Sequence, residues 1–503
     1  MEESTLENWE KIFDICFSQD EENKKLYYKN GNCVQSEGVW IELDEPLDLG
    51  TYFNCFSLGK WMDYTNLERL AVHMEVSGRA KIEIYSIEKK SELLLSIEET
   101  SGYFMHELDI DVLKQKRVEI IGIRVKAVQL ETCLRNGGYY GIFSHTYPVR
   151  IGINICTFKR EKYVKRNLAV LKQLIEKNKN FSVTIVDNGQ SLQGISGENI
   201  QVFPNRNFGG SGGFTRGMME QVNQGVNTHI LMMDDDVVIE PTALERVYKV
   251  YQHIKEERRQ QMLGGAMLSI DNPTCQFENT AYWNGIRMIS NGREFDLTDK
   301  RRLYDNEHFP KKSNTYAAWW FCCIPMEVVK KNGYPLPLFI KGDDMEYSIR
   351  NHQEIMHMNG VGVWHEVAAK KINPTINCFN DRNMMILNHY AEECNRWTFI
   401  ASAFARLFRR IICLDSVGVK NFELALRDYS GGFEEIARIG ADVKLAKVNN
   451  YHSDKSMICS LMTTIKIIFQ QFFKYNALHQ KYIGFRQEKL SNQIFWRNYL
   501  GLK

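Results

Sequence analysis

An apolar run, Ile230-Leu231-Met232-Met233, passes without a break into three carboxylates, Asp234-Asp235-Asp236, and the chain turns apolar again at Val237-Val238-Ile239. Few arrangements tolerate this. The run needs burial, whereas adjacent acids repel one another and resist desolvation. The segment therefore reads as a core strand whose end opens on a polar site. A divalent cation shared with a bound polyphosphate offsets the repulsion; a solvated acidic turn is the plainer alternative. A second acidic pair, Asp343-Asp344, and a lone His365 behind Trp364 follow later in the chain. Two hard oxygen ligands on one strand end plus a distant imidazole suit Mn²⁺ or Mg²⁺ carrying a diphosphate.

Around the triplet, strand and helix alternate. Arg150 to Thr157 is a buried strand, residues 161 to 178 have helical spacing with Leu168, Leu171, Leu174 and Ile175 on one face, and Phe181 to Asp187 is again a strand, ending in Asn188-Gly189. This rhythm predicts an α/β domain with a mostly parallel sheet, helices on its faces and ligands at the carboxyl ends of its strands. Thr157, Asp187 and the acidic triplet all fall at such ends and are expected to converge on one cleft.

The flanks differ in texture. Residues 1–148 carry short β-branched runs separated by turn pairs such as Ser77-Gly78, which suggests a β-sandwich that grips a partner or sugar chain. Residues 149–394 form the α/β domain, and residues 395–503 are helical. From 455 to 503 there are eight basic residues and one acid, beside the apolar stretch 457–469. Such a tail suits an anionic membrane surface; a solvated helical domain or an oligomer interface are the alternatives.

Composition narrows the classes. A chain of 503 residues exceeds a single core. With 63 Lys+Arg against 62 Asp+Glu it has no global bias toward nucleic acid. Its twelve cysteines are scattered without a CxxC pair, which fits reduced thiols rather than a disulfide framework or structural zinc. Met1-Glu2-Glu3-Ser4 does not open a signal peptide, and no run reaches the ~18 apolar residues that span a bilayer. A cytoplasmic protein, peripheral on the inner face of the cell membrane, is the expectation.

Further segments bear chemistry. Asn205-Arg206-Asn207-Phe208-Gly209-Gly210-Ser211-Gly212-Gly213-Phe214 lets backbone approach a ligand and feeds a helix expected to begin near Phe214. It matches neither a Walker loop nor a dinucleotide fingerprint. Trp319-Trp320 suits sugar stacking, with a bulky core pair as the alternative. Asp343 and Asp344 read as a general base or as the cap and first-turn acid of a helix from Met345 to Asn351. Asp187 offers an acceptor for the N3–H of a uracil, or a turn.

In this order, the Thr157 strand, Val186-Asp187-Asn188-Gly189, the glycine-rich run, Asp-Asp-Asp, Trp-Trp, Asp-Asp and Trp-His resemble family 2 inverting glycosyltransferases of the GT-A (Rossmann-like) fold, and more narrowly bacterial galactofuranosyltransferases that polymerise galactan. The resemblance implies metal ligation by Asp234, Asp236 and His365. It makes Asp344 the general base and gives Asp343, Trp319 and Trp320 to the acceptor. Thr157, Asp187, Asn207, Gly209, Gly210, Asp235 and Arg382, the last in an Arg-Asn pair near the diphosphate, go to the nucleotide sugar. It also implies a UDP-sugar donor, a glycan or lipid-linked glycan acceptor and a homo-oligomer. Gly342, where the relatives carry Trp, and Glu366, where they carry an apolar residue, leave the sugar open to a rhamnosyl or other hexosyl donor. A non-catalytic carbohydrate-binding protein is the rival class.

Overall fold

A computed structural model describes residues 9–34, 37–88, 91–351, 354–367, 374–438, 446, 448 and 456–502. Met1-Glu2-Glu3-Ser4, and Lys455 and Lys503 of the basic tail, lie outside the described residues.

In the N-terminal region eight strands form one hydrogen-bonded sheet. Its axis is the strand Leu67–Ser86, which pairs along its first half with Thr132–Phe143 and along its second half with Ile121–Ala127. Ser77-Gly78, expected as a turn between two strands, is a bulge inside this single strand: the register shifts between Val76 and Ala80 while both flanks pair with Leu93–Leu108. A bulge bends a strand without ending it. Gly78 takes φ +85°, and a Cβ there would lie 2.8 Å from Thr132 Oγ1.

The α/β region is built on β1 (Ile151–Thr157), α1 (Glu161–Lys177), β2 (Phe181–Asp187), β3 (Ile200–Pro204), α2 (Gly209–Gln224), β4 (His229–Asp234), β5 (Val238–Ile239), α3 (Pro241–Gln252), β6 (Leu263–Gly264), β7 (Ala266–Ser269), β8 (Cys275–Glu278), β9 (Cys322–Pro325), α4 (Asp343–Arg350) and β10 (Gly362–His365). The main sheet runs β3-β2-β1-β4-β9-β6. Its first four strands are parallel, and β9 and β6 are antiparallel to their neighbours. Helix α1 buries Leu168, Leu171, Leu174 and Ile175, the stripe its spacing predicts. A second sheet includes β5, β10, β7 and β8 in that order.

Helix α2 begins at Gly209, five residues earlier than expected, because its glycines are packing residues. A Cβ on Gly213 would lie 2.1 Å from Cys156 Sγ, and one on Gly217 1.8 Å from Asn154 Oδ1. Only bare backbone lets this helix lie so close to β1.

The C-terminal region holds α5 (Pro374–Leu387), α6 (Arg396–Ile412), α7 (Ser416–Arg438), α8 (Met457–Lys489) and α9 (Gln493–Leu500). Helix α9 returns to the α/β region, where Tyr499 packs 5.2 Å from Phe208. Among the described residues no helix is long and apolar enough to cross a membrane. The N-terminal sheet shares one apolar core with the main sheet. Across that seam Phe53 lies 5.4 Å from Trp364, and Arg246 donates to the Phe53 carbonyl.

Candidate metal and acid-pair cleft

The parallel register aligns Asp187 with Thr157 and Asp234 with Cys156, so three polar strand ends open at one edge of the sheet. Helix α1 fixes the triplet's turn, with Arg166 donating to the Val237 carbonyl and Asn167 to the Asp235 carbonyl. Strand β10 approaches from the second sheet and delivers His365. Its Nε2 lies 2.8 Å from Asp236 Oδ1 and 3.7 Å from Asp234 Oδ2.

One donor atom from each of Asp234, Asp236 and His365 fits within a 4.8 Å sphere of mutual distance. Two carboxylate oxygens and an imidazole nitrogen are a donor set for a divalent cation. His365 Nδ1 sits 2.7 Å from the Glu366 carbonyl, which orients the ring with Nε2 toward the acids. The charges follow the geometry. Although the Asp234 side chain is 40 % exposed, burial of its carboxyl, with Asp236 and Asp235 adding to the effect, pushes it up to about 7. Burial alone disfavours imidazolium at His365, but the hydrogen bond to Asp236 and the charge of Asp234 prevail and raise it.

Asp235 points elsewhere. It accepts from Thr157 Oγ1 at 2.6 Å and from Arg160 at 3.1 Å, so it holds the β1 end to the triplet. Arg160, at the start of α1, also pairs with Asp236. Arg160 belongs to no motif; its one signal in the sequence is a cation three residues beyond a polar strand end. Asp187 is buried, with its two oxygens accepting from the Gly189 and Leu192 amides. That is the turn geometry, with one lone pair on each oxygen left for a ligand.

The acid pair stands opposite. Helix α4 starts at Asp343, with Gly342 as N-cap at φ +86°, so Asp343 is the first helical residue and not the cap expected. Burial, then the neighbouring Asp344 charge, pushes Asp343 up to about 8. Asp344 is also raised by burial. Amides of Met345 and Trp319 and the Lys341 charge hold it back. Asp234 acts electrostatically on Asp343, and a Cβ on Gly210 would lie 3.4 Å from Asp343 Oδ2. The triad, the acid pair and Gly210 thus border one space. Asn207 and Gly209 lie just beside it, joined by the Asn207 Oδ1 bond to the Gly209 amide.

The structure puts other residues behind the cleft wall. Arg382, expected near a diphosphate, is fully buried and donates to the Leu338 carbonyl at 2.7 Å. Asn383 donates to the carbonyls of Ile340 at 2.9 Å and Lys341 at 2.7 Å. Together they clamp the loop before Asp343, where Phe339 and Lys341 hold left-handed backbone at φ +73° and +64°. Trp319 is a core ring, 4 % exposed and packed edge-on against Phe214. Trp320 is half-buried and donates through Nε1 to the Gly265 carbonyl. The bulky-core alternative describes Trp319, because α2 and α4 close over it.

Glu278 is a carboxylate that sequence reasoning missed, since it ends a short strand without a motif. It is buried, accepts from Ser290 and Tyr316, and is pushed up to about 7 by burial, with the Asp344 charge adding to it.

The sequence profile described as "Glycosyltransferase like family 2" matches residues 148–399, and one described as "Galactofuranosyltransferase 2 N-terminal" matches residues 18–140. The chain is 24 % identical over 430 residues to Galactofuranosyltransferase GlfT2 of Mycolicibacterium smegmatis, covering 79 % of this chain and 66 % of that one. With the Mycobacterium tuberculosis protein of the same name it shares 22 % identity over 453 residues, covering 79 % and 67 %. The chain therefore spans about two thirds of the length of these relatives. Among solved structures, S. aureus TarS aligns at 15 % identity over 65 % of this chain and 55 % of that chain, with a TM-score of 0.39, too low to carry an argument.

Proposed function

The chain belongs to glycosyltransferase-like family 2, and from that premise we propose that it moves a galactofuranosyl group from its uridine diphosphate donor to a hydroxyl of a glycan or lipid-linked glycan, with inversion. One observation carries the reading: a potential cation triad and a buried acid pair border the same cleft. The choice of galactofuranose rests on the likeness of both the N-terminal and α/β regions to galactofuranosyltransferases.

In this reading Asp234, Asp236 and His365 hold Mn²⁺ or Mg²⁺, which when bound supplies positive charge to the departing diphosphate. The acid pair shares one proton near neutrality, because adjacent buried carboxylates resist double ionisation. Asp343 keeps that proton. Asp344, stabilised by two amides and Lys341, carries the negative charge. It takes the proton from the acceptor hydroxyl as that oxygen attacks the anomeric carbon. The bond from that carbon to the diphosphate oxygen breaks, its electron pair leaves on UDP, and configuration inverts. Asp187 selects the base, Asp235 and Thr157 keep the triplet's turn in place, and Glu278 reinforces the negative field on the acceptor side.

The test is thermal stability of the wild type and Asp236→Ala with UDP, TDP or GDP, each with and without Mn²⁺. The expected result is stabilisation by UDP that needs both Mn²⁺ and Asp236. A preference for TDP would redirect the donor to a deoxyhexose, and no shift with any nucleotide would overturn the transferase reading.

A further inference from the structure

A cavity of about 190 Å³ is walled by Thr280, Asn291, Phe309, Ser348, Ile349 and His357. It shares its walls with the acid pair. Ser348 follows Asp344 by four residues on α4, so the two stand on one helix face, about 6 Å apart along the axis. Thr280 follows Glu278 by two residues, and Asn291 follows Ser290, which donates to Glu278. Asn291 in turn donates to Thr280 Oγ1 at 3.0 Å. A chain of one or two sugar rings spans the step from this cavity to Asp344.

The walls leave polar atoms unserved. Ser348 is fully buried, and its Oγ has no hydrogen-bond partner among the described residues. The same holds for His357 Nε2. Burial, with the Lys60 charge adding to it, pushes His357 down to about 3, so the ring is neutral. Buried groups of this kind are costly unless a water or a ligand meets them. The space holds about six waters at ~30 Å³ each, or one sugar ring.

The chemistry of the lining selects a neutral ligand. Its only cations, Lys311 and Lys312, are exposed at the rim, and Lys311 is held by Glu354 at 3.0 Å. Inside are hydroxyls, a carboxamide, a neutral imidazole and the half-buried Phe309 ring, which stacks on His357 at 5.3 Å. Hydroxyl and amide partners beside an aromatic face suit a polyhydroxylated ring.

We propose that this cavity holds an earlier sugar residue of the acceptor chain, one or two units back from the hydroxyl that attacks, so that the protein favours oligosaccharide acceptors over single sugars. The inference rests on the transferase reading of the cleft.

The test is acceptor kinetics of the full chain with Mn²⁺ and UDP-galactofuranose, comparing methyl galactofuranoside with a galactofuranose tetrasaccharide. The wild type should show the lower KM for the tetrasaccharide. Ser313→Trp changes an exposed rim residue and blocks the mouth without entering the core. It should raise the tetrasaccharide KM to that of the single sugar, with kcat and the single-sugar KM unchanged. Ser348→Ala should weaken tetrasaccharide binding about fivefold, the loss of one hydrogen bond, read by calorimetry without nucleotide. Equal KM for the two acceptors, a preference that survives Ser313→Trp, or no heat with the tetrasaccharide would overturn the proposal. So would a thermal shift with inorganic phosphate that Ser313→Trp abolishes, which would assign the cavity to an anion. The Mn²⁺-dependent UDP shift reports the cleft alone: its absence would fail the transferase reading, while the calorimetry still decides what the cavity binds.

Discussion

Replacing Asn383 with alanine tests how the acid pair is aimed. The Asn383 amide is the brace of a strained loop: it donates to the Ile340 and Lys341 carbonyls at 2.9 and 2.7 Å. Removing it leaves two partly buried acceptors without a donor, at about 1–3 kcal/mol each. Against this, relaxation of the left-handed Phe339 and Lys341 returns about 1–2 kcal/mol apiece. At mid-range about 4 kcal/mol lost and about 3 kcal/mol returned leave a net destabilisation of about 1 kcal/mol and a loop that no longer holds its observed path. Because Asp343 and Asp344 open the helix directly after that loop, a displacement of about 1 Å at the proposed base should lower turnover roughly 100-fold. Steady-state transfer to an acceptor, denaturant unfolding and UDP-dependent thermal shift measure the three quantities separately. The UDP shift should survive, since Asn383 faces the loop. Near-wild-type turnover in a destabilised variant would refute the claim that the clamp aims the base, and loss of the UDP shift would put the Arg382-Asn383 pair at the diphosphate after all.

Asp344→Asn should lower transfer by about 10²–10⁴-fold while keeping Mn²⁺-dependent UDP binding; substantial retained turnover moves the base elsewhere. Gly213→Ala should cost about 1–3 kcal/mol of stability through collision with Cys156 Sγ, read by denaturant unfolding, and Cys156→Ala in the same chain should restore part of it. The metal-free protein should lose stability as pH rises. Glu278 and Asp343 stand at about 7 and about 8 when folded, from 4.5 and 3.8, so their protonated forms favour the fold, fully below pH 4 and progressively less as pH climbs through 7 to 8. For Glu278 the change amounts to about 3 kcal/mol. Melting temperatures between pH 4.5 and 8 check this, and Glu278→Gln should flatten the profile.

Much of the α/β region was legible because local pattern and tertiary role coincide there. The stripe of Leu168, Leu171, Leu174 and Ile175 predicts α1, and Thr157, Asp187 and Asp234 end buried runs that a parallel sheet must align. His365 could be singled out as a strand-end imidazole. The glycine-rich run was visible, but its reading as a ligand loop understated its part in packing, since Gly213 is required by Cys156 Sγ of β1 and Gly209 by the Phe339 carbonyl, atoms distant in sequence. Ser77-Gly78 has turn composition, yet pairing with the same neighbour on both sides keeps it within a strand.

Sequence alone determined the order of elements and the chemistry of the strand ends, because hydrophobic period and residue type are local properties. Tertiary structure decided which polar groups share a space. It brought Arg160 onto Asp236, Glu278 into the field of Asp344, and Arg382 and Asn383 behind the loop they clamp. It also laid α6 and α8 side by side, with Trp397 against Phe472 and Phe404 against Phe469. Burial and Coulomb interactions depend on distance in space, and residues far apart in the chain acquire that distance only when the sheets and helices pack.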